Sequence, residues 1–189
     1  MKHSLINFAA FQACWFASVL GAAAGIPLLG PAFAAVWLPI HIRAAKSSAG
    51  IELKLILTAG ALGYGLDSAL VLAGWLSFPP QAELGMPSTV WMVTLWLAFA
   101  ATFRHCLGWL RGRYVLAALL GAIFGPLAYW GGSKLGAIVL TDTVFSLLSV
   151  SVEWLIAMPL LLMAVTYLEH TRTTRSEDEA SRSARQESW

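Results

Sequence analysis

The chain is a succession of apolar stretches, each about as long as a bilayer core is thick, and this pattern leaves its backbone little choice of structure. A hydrocarbon core of about 30 Å takes about 20 helical residues. The stretches at 5–25, 53–78, 88–110, 114–133 and 143–168 meet that requirement. In lipid every backbone N–H and C=O must be satisfied within the protein, so segments of this kind cross as α-helices. A further stretch, 26–42, is marginal: it is short, follows the first through Gly25, Ile26 and Pro27, and contains Pro31 and Pro39. If Pro31 opens a helix and Arg43 snorkels, 31–46 just spans; otherwise the segment is re-entrant and five spans remain. The expected fold is all-α, a polytopic transmembrane helix bundle of six spans over residues 1–170.

Composition points the same way. Of 189 residues, 58% are hydrophobic and 12% charged, with a mean hydropathy of +0.71, against about 25% charged in an ordinary soluble domain. The formal net charge of +2 and the scatter of basic residues over segment ends argue against nucleic acid as a partner. Cys14 and Cys106 both fall inside apolar stretches, which offers neither a disulfide framework nor a multi-cysteine metal centre. The first stretch resembles a signal peptide in its Lys2 and its small residues at Gly21 to Gly25. Its length, with Asn7 and Gln12 inside it, favours a retained helix. After Glu169 the chain turns to Thr, Arg, Ser, Glu and Asp, so 171–189 is expected to be a disordered, charged cytoplasmic tail.

The basic residues set an orientation. Lys2, Arg43, Lys46, Lys54, Arg104, Arg111, Arg113, Arg172, Arg175, Arg182 and Arg185 fall on one side in the six-span reading, and Lys134 on the other. The 79–87 loop has no basic residue. The positive-inside rule then places both termini in the cytoplasm. Trp75 and Trp91 flank the external loop and Trp37 and Trp109 lie near cytoplasmic ends, as an aromatic belt requires.

Against this background two carboxylates stand out. A charge at the centre of a bilayer costs about 2.5–3.5 kcal/mol on insertion scales, so Asp67 and Glu153 are expected to face protein and to find partners or take part in function. Asp67 shares a helix face with Gly60, Gly63 and Gly74, and Glu153 with Ser146, Ser149 and Ala157, which turns both toward neighbouring helices. Counting about 1.5 Å per residue from the cytoplasmic ends puts Asp67, Glu153, Tyr129 and Thr94 at one depth, about 21–24 Å. Gln12, Arg104 and His105 come out at about 8–11 Å, with His41 at the mouth. Asp67, Tyr129 and His105 are therefore the candidates for acid/base chemistry. Asp67, Arg104, His41, Gln12 and Glu153 are the candidates for ligand contact. His41 and His105 lie on different segments with no His-x-x-x-His or acidic spacing nearby, so no metal site is expected, and no cofactor is indicated. Walker, dinucleotide and Gly-x-Ser-x-Gly motifs are absent.

Several short runs carry a resemblance. They are Asn7-Phe8, Phe11-Gln12, Trp15-Phe16 followed by Gly21-Ala22, Glu52-Leu53, Gly63 with Asp67, Leu95-Trp96 with Phe99-Ala100, Gly125-Pro126-Leu127-Ala128-Tyr129 and Leu135-Gly136-Ala137. Together they are similar to a family of uncharacterised bacterial inner-membrane proteins, the domain of unknown function 2878, over residues 7 to about 162. Asp67 and His41 match its pattern, whereas Arg104 and Glu153 do not clearly match. The resemblance implies a bacterial inner-membrane location and no activity. Members are often encoded beside enzymes that modify fatty acyl chains, which implies membrane lipid as a ligand and cytoplasmic lipid-modifying enzymes as partners. The expected role is binding or translocation of a lipid or small lipophilic molecule; the alternatives are a membrane-embedded enzyme acting on acyl chains and a non-catalytic scaffold.

Overall fold

The structure, a computed structural model, describes residues 2–186. Six α-helices follow one another: α1 Lys2–Ala23, α2 Leu29–Ala44, α3 Ala49–Leu72, α4 Val90–Ala100, α5 Tyr114–Lys134 and α6 Thr143–Gln186. Two two-residue strands, β1 Leu76–Ser77 and β2 Val139–Leu140, pair antiparallel with Leu76 opposite Leu140. They follow α3 and α5 directly because both helices stop at a left-handed glycine, Gly74 at φ +76 and Gly136 at φ +89. The next N–H then reaches back over the last turn, from Trp75 to Leu70 O at 3.1 Å and from Ala137 to Gly132 O at 3.0 Å, which satisfies a carbonyl the helix end leaves open. Ser146 at the start of α6 donates to Trp75 O at 2.5 Å and closes this end of the bundle.

Four helices are long and apolar enough to cross a membrane, over Ser4–Ala23, Lys46–Leu72, Tyr114–Lys134 and Thr143–Thr174. The two remaining segments are shorter, the first as the marginal stretch in the sequence predicts and the second unexpectedly. α2 has 16 residues. The stretch 88–110 gives only the 11 residues of α4 and then a run of turns. The break is chemically explained: Thr102 turns both its N–H and its hydroxyl onto Phe99 O, at 2.9 and 2.6 Å, and so leaves the helical ladder. The Ala101 carbonyl beyond it accepts from the Asn7 side-chain amide of α1 at 3.0 Å. Residues Ala100 to Phe103 are at most 1% exposed, so this irregular backbone lies inside the protein, the condition under which it is tolerated at membrane depth.

α5 shows the same accounting. Pro126 has no N–H, so Ala122 O four residues earlier loses its helical partner. The Ser151 hydroxyl of α6 donates to that oxygen at 2.8 Å. Beyond its apolar part α6 continues as helix to Gln186, and of the tail expected over 171–189 residues 187–189 lie outside the described residues. A helix already nucleated in the apolar stretch extends without a new nucleation cost. The hydroxyls of Thr171, Thr173 and Thr174 bond to carbonyls four residues back, and Arg172 reaches Ser48 Oγ at 2.7 Å.

Small residues set the closest approaches, as the sequence pattern predicts. A side chain at Gly60 would overlap Leu97, and one at Gly63 would overlap the Trp96 indole, so α4 sits directly on α3. Gly121 and Gly125 receive Met158 and Trp154 in the same way and bring α6 onto α5. Trp96 and Trp154 then stack on each other, 4.7 Å between centroids at 18°, and join the two helix pairs. Gly63→Ala should cost about 1–3 kcal/mol by overpacking, seen as a lower unfolding midpoint in detergent. Gly65→Ala, where an added Cβ meets nothing within 4 Å, is the matched control and should leave the midpoint nearly unchanged.

Candidate functional site

Asp67 is fully buried in the second turn from the end of α3. Its Oδ2 accepts from Trp96 Nε1 of α4 at 2.8 Å, and its Oδ1 accepts a short hydrogen bond from Tyr129 Oη of α5. The candidates Asp67 and Tyr129 are thus brought together, and a residue missed by the sequence reading, Trp96, completes the node. Thr94 shares their depth but not their network: its hydroxyl bonds back to Val90 O at 2.8 Å. Glu153 is buried within electrostatic reach of Asp67, and among the described residues neither of its oxygens has a hydrogen-bond partner.

Beside this node lies a cavity of about 660 Å³. Its two walls are α1, through Phe8, Phe11, Gln12, Trp15, Phe16 and Val19, and α5, from Leu120 to Tyr129. Trp96 and Phe99 of α4 and Trp154 and Met158 of α6 form the floor. From Phe8 to Val19 the cleft runs about 16 Å along the helix axis. Phe8 and Phe16 on one lip, with Phe124 and Leu127 on the other, line the cleft and are each about half exposed. The opening between α1 and α5 therefore faces sideways, out of the bundle. Asp67 does not line this cavity; Trp96 and Tyr129 stand between.

A second polar centre lies at the opposite end of α3, about 22 Å along the helix from Asp67. Its hub is Glu52, fully buried in the first turn. Arg104 Nη1 meets Glu52 Oε1 at 2.7 Å, while Arg104 Nε meets Glu169 Oε1 at 2.9 Å. Arg111 joins Glu169 at 3.0 Å. His41 Nε2 lies 3.3 Å from Glu52 Oε2 and His105 Nε2 lies 3.4 Å from Glu52 Oε1. His105 is therefore placed away from Asp67 and Tyr129, because the chain after α4 turns back across the α2–α3 junction instead of continuing as a helix. His41, Arg104 and His105 are gathered here. Gln12 is not among them and lines the cavity instead. The Arg104 guanidinium, a candidate for ligand contact, is taken by Glu52 and Glu169.

Glu52 carried one signal in the sequence: a carboxylate next to an apolar run, in the first turn of a helix where the dipole favours it. Its importance became visible only once the fold brought two histidines and an arginine to it.

A model of the family described as protein of unknown function (DUF2878) matches residues 4–160, and the chain belongs to that family. No curated protein and no solved structure matches it.

Removing the Asp67 carboxylate strands two buried donors, Trp96 Nε1 and Tyr129 Oη, at about 1–3 kcal/mol for an unsatisfied group. Asp67→Ala should therefore lower stability clearly in a denaturing-detergent titration, and Asp67→Asn, which keeps an acceptor oxygen, should lower it less. Equal losses for the two would refute the hydrogen-bonding role of the carboxylate.

Proposed function

We propose that this DUF2878 protein binds an acyl chain, or a lipophilic molecule of similar shape, in the cleft between α1 and α5. The observation that carries the reading is the cavity itself. Its volume of about 660 Å³ lies within the range of about 300–1,000 Å³ typical of small-ligand sites. Its walls are almost wholly aromatic and aliphatic, its long axis follows the helices, and its lips face where lipid would be. Gln12 supplies one polar contact for a carbonyl or hydroxyl group. Such a ligand enters sideways from the bilayer without crossing water.

Binding is favoured over acid/base catalysis on acyl chains by the position of Asp67. Trp96 and Tyr129 occupy both carboxylate oxygens and screen them from the cleft. Asp67 holds the back wall in place; the wall's inner surface meets the ligand.

Ala128 is a small residue of the α5 wall and its side chain borders the cleft. Ala128→Trp should fill part of it. Native mass spectrometry of the purified wild type should show retained lipid, and the variant, eluting as the same species in gel filtration, should retain several-fold less. Equal retention in both would sink the reading.

The membrane setting belongs to the same proposal. Six segments traverse a bacterial inner membrane, α2 and α4 with its turn region as short or broken spans, with both ends cytoplasmic. Arg43, Lys46, Lys54, Arg104, Arg111 and Arg113 lie at the end of the bundle opposite the β1–β2 ribbon, and Lys134 lies near the ribbon. Reporters fused at either terminus should both show cytoplasmic exposure. An external N-terminus with a cytoplasmic C-terminus would overturn this topology.

A further inference from the structure

We infer that His41, Glu52 and His105 form a binding site for a divalent transition-metal ion of the zinc or ferrous class. The two imidazole nitrogens and a carboxylate oxygen lie within 4.8 Å of one another. They converge from three places: the end of α2, the first turn of α3 and the turn region after α4. Both histidines present Nε2, at 3.3 and 3.4 Å from the two oxygens of one carboxylate. Ligands around 2.0–2.2 Å from a common metal stand roughly 3–4 Å apart, so closure needs side-chain adjustments of about 1 Å.

A plain ion-pair network explains this arrangement less well. Glu52 is already engaged by Arg104 at 2.7 Å. His105 Nε2 is buried beside it without a partner in hydrogen-bond geometry, although it points at the carboxylate. In the tautomer that leaves this nitrogen unprotonated, it faces a second imidazole nitrogen and an anion, and that is the donor set a cation would use. The surroundings fit as well. Arg104 orients the carboxylate from outside, the role that groups behind a ligand commonly play. The Trp37 ring packs 5.2 Å from the His41 ring, and the two imidazoles meet edge to face at 5.0 Å, which fixes their planes. Two imidazoles and one carboxylate suit zinc or iron better than magnesium or calcium, which prefer oxygen ligands. Three protein ligands leave at least one coordination position free.

The test uses the full chain in detergent, stripped with a chelator and titrated with Co2+ as a spectroscopic probe. The expected result is one Co2+ per chain, visible as ligand-field absorption and displaced by Zn2+. His41→Ala and His105→Ala should weaken binding by at least about 100-fold, more than the loss of a group behind a ligand. Both variants keep the Glu52–Arg104 pair, and gel filtration checks their fold. His170→Ala, at an exposed histidine elsewhere on α6, should bind like wild type. Sub-stoichiometric binding to folded wild type would overturn the inference whatever the variants do. So would wild-type affinity in both His41→Ala and His105→Ala.

Discussion

Trp96 and Trp154 can stack only because Gly63 and Gly125 leave room for an indole where a side chain would otherwise stand. Much of the rest of the bundle follows from that arrangement. In lipid, helices gain nothing from hiding apolar surface from each other, since the surrounding tails are as apolar as leucine; contact, shape and hydrogen bonds must hold them. A stacked aromatic pair contributes about 0.5–1.5 kcal/mol beyond its area. Here the pair also sets geometry: α4 is locked on α3 through Trp96, α6 on α5 through Trp154, and the stack joins the halves. Asp67 ties the same joint with directional bonds, since its two oxygens reach α4 and α5 at once. The carboxylate is costly at this depth, and its full engagement by two donors is what makes it tolerable.

The same backbone accounting explains where the bundle departs from straight helices. Pro126 and the break after Ala100 each free a carbonyl, and each carbonyl is met by a side chain from another helix, Ser151 and Asn7. These repairs have a structural consequence. Folding the chain back after α4, instead of letting it run on, carries Arg104 and His105 onto Glu52 and leaves Leu107 and Leu110 to line the end of the cleft. A continuous helix over 88–110 would have built neither.

Much of the fold was legible in the sequence because lipid imposes a length rule and a small-residue rule. The tight face at Gly60 and Gly63 and the burial of Asp67 beside Tyr129 followed from 1.5 Å per residue and from spacing. What escaped is non-local. No period in the sequence announces that Thr102 will leave the helical ladder, and without that turn nothing in the sequence joins His105 and Arg104 to Glu52. Glu52, quoted only within the family resemblance, was not singled out as a site residue for a related reason. It lies near a segment end, where a carboxylate is ordinary, and only its complete burial among residues from α2, the α4 turn region and α6 distinguishes it.

The two polar centres divide the labour of the molecule by their accessibility. Asp67 is saturated by Trp96 and Tyr129, so it has little left to offer a ligand and acts as a fixed point for the walls of the cleft. Glu52 is over-supplied with partners, and one of them, His105, is not satisfied by hydrogen bonding. Saturation is the mark of a structural group, and a buried imidazole nitrogen without a partner in a crowded cluster is what the proposed cation would satisfy. The turn region after α4 belongs to both territories, with His105 on the Glu52 cluster and Leu107 on the cleft two residues later. Any movement of that segment when the cleft is filled would be felt at the Glu52 cluster, and the reverse holds for a cation drawing His105 inward.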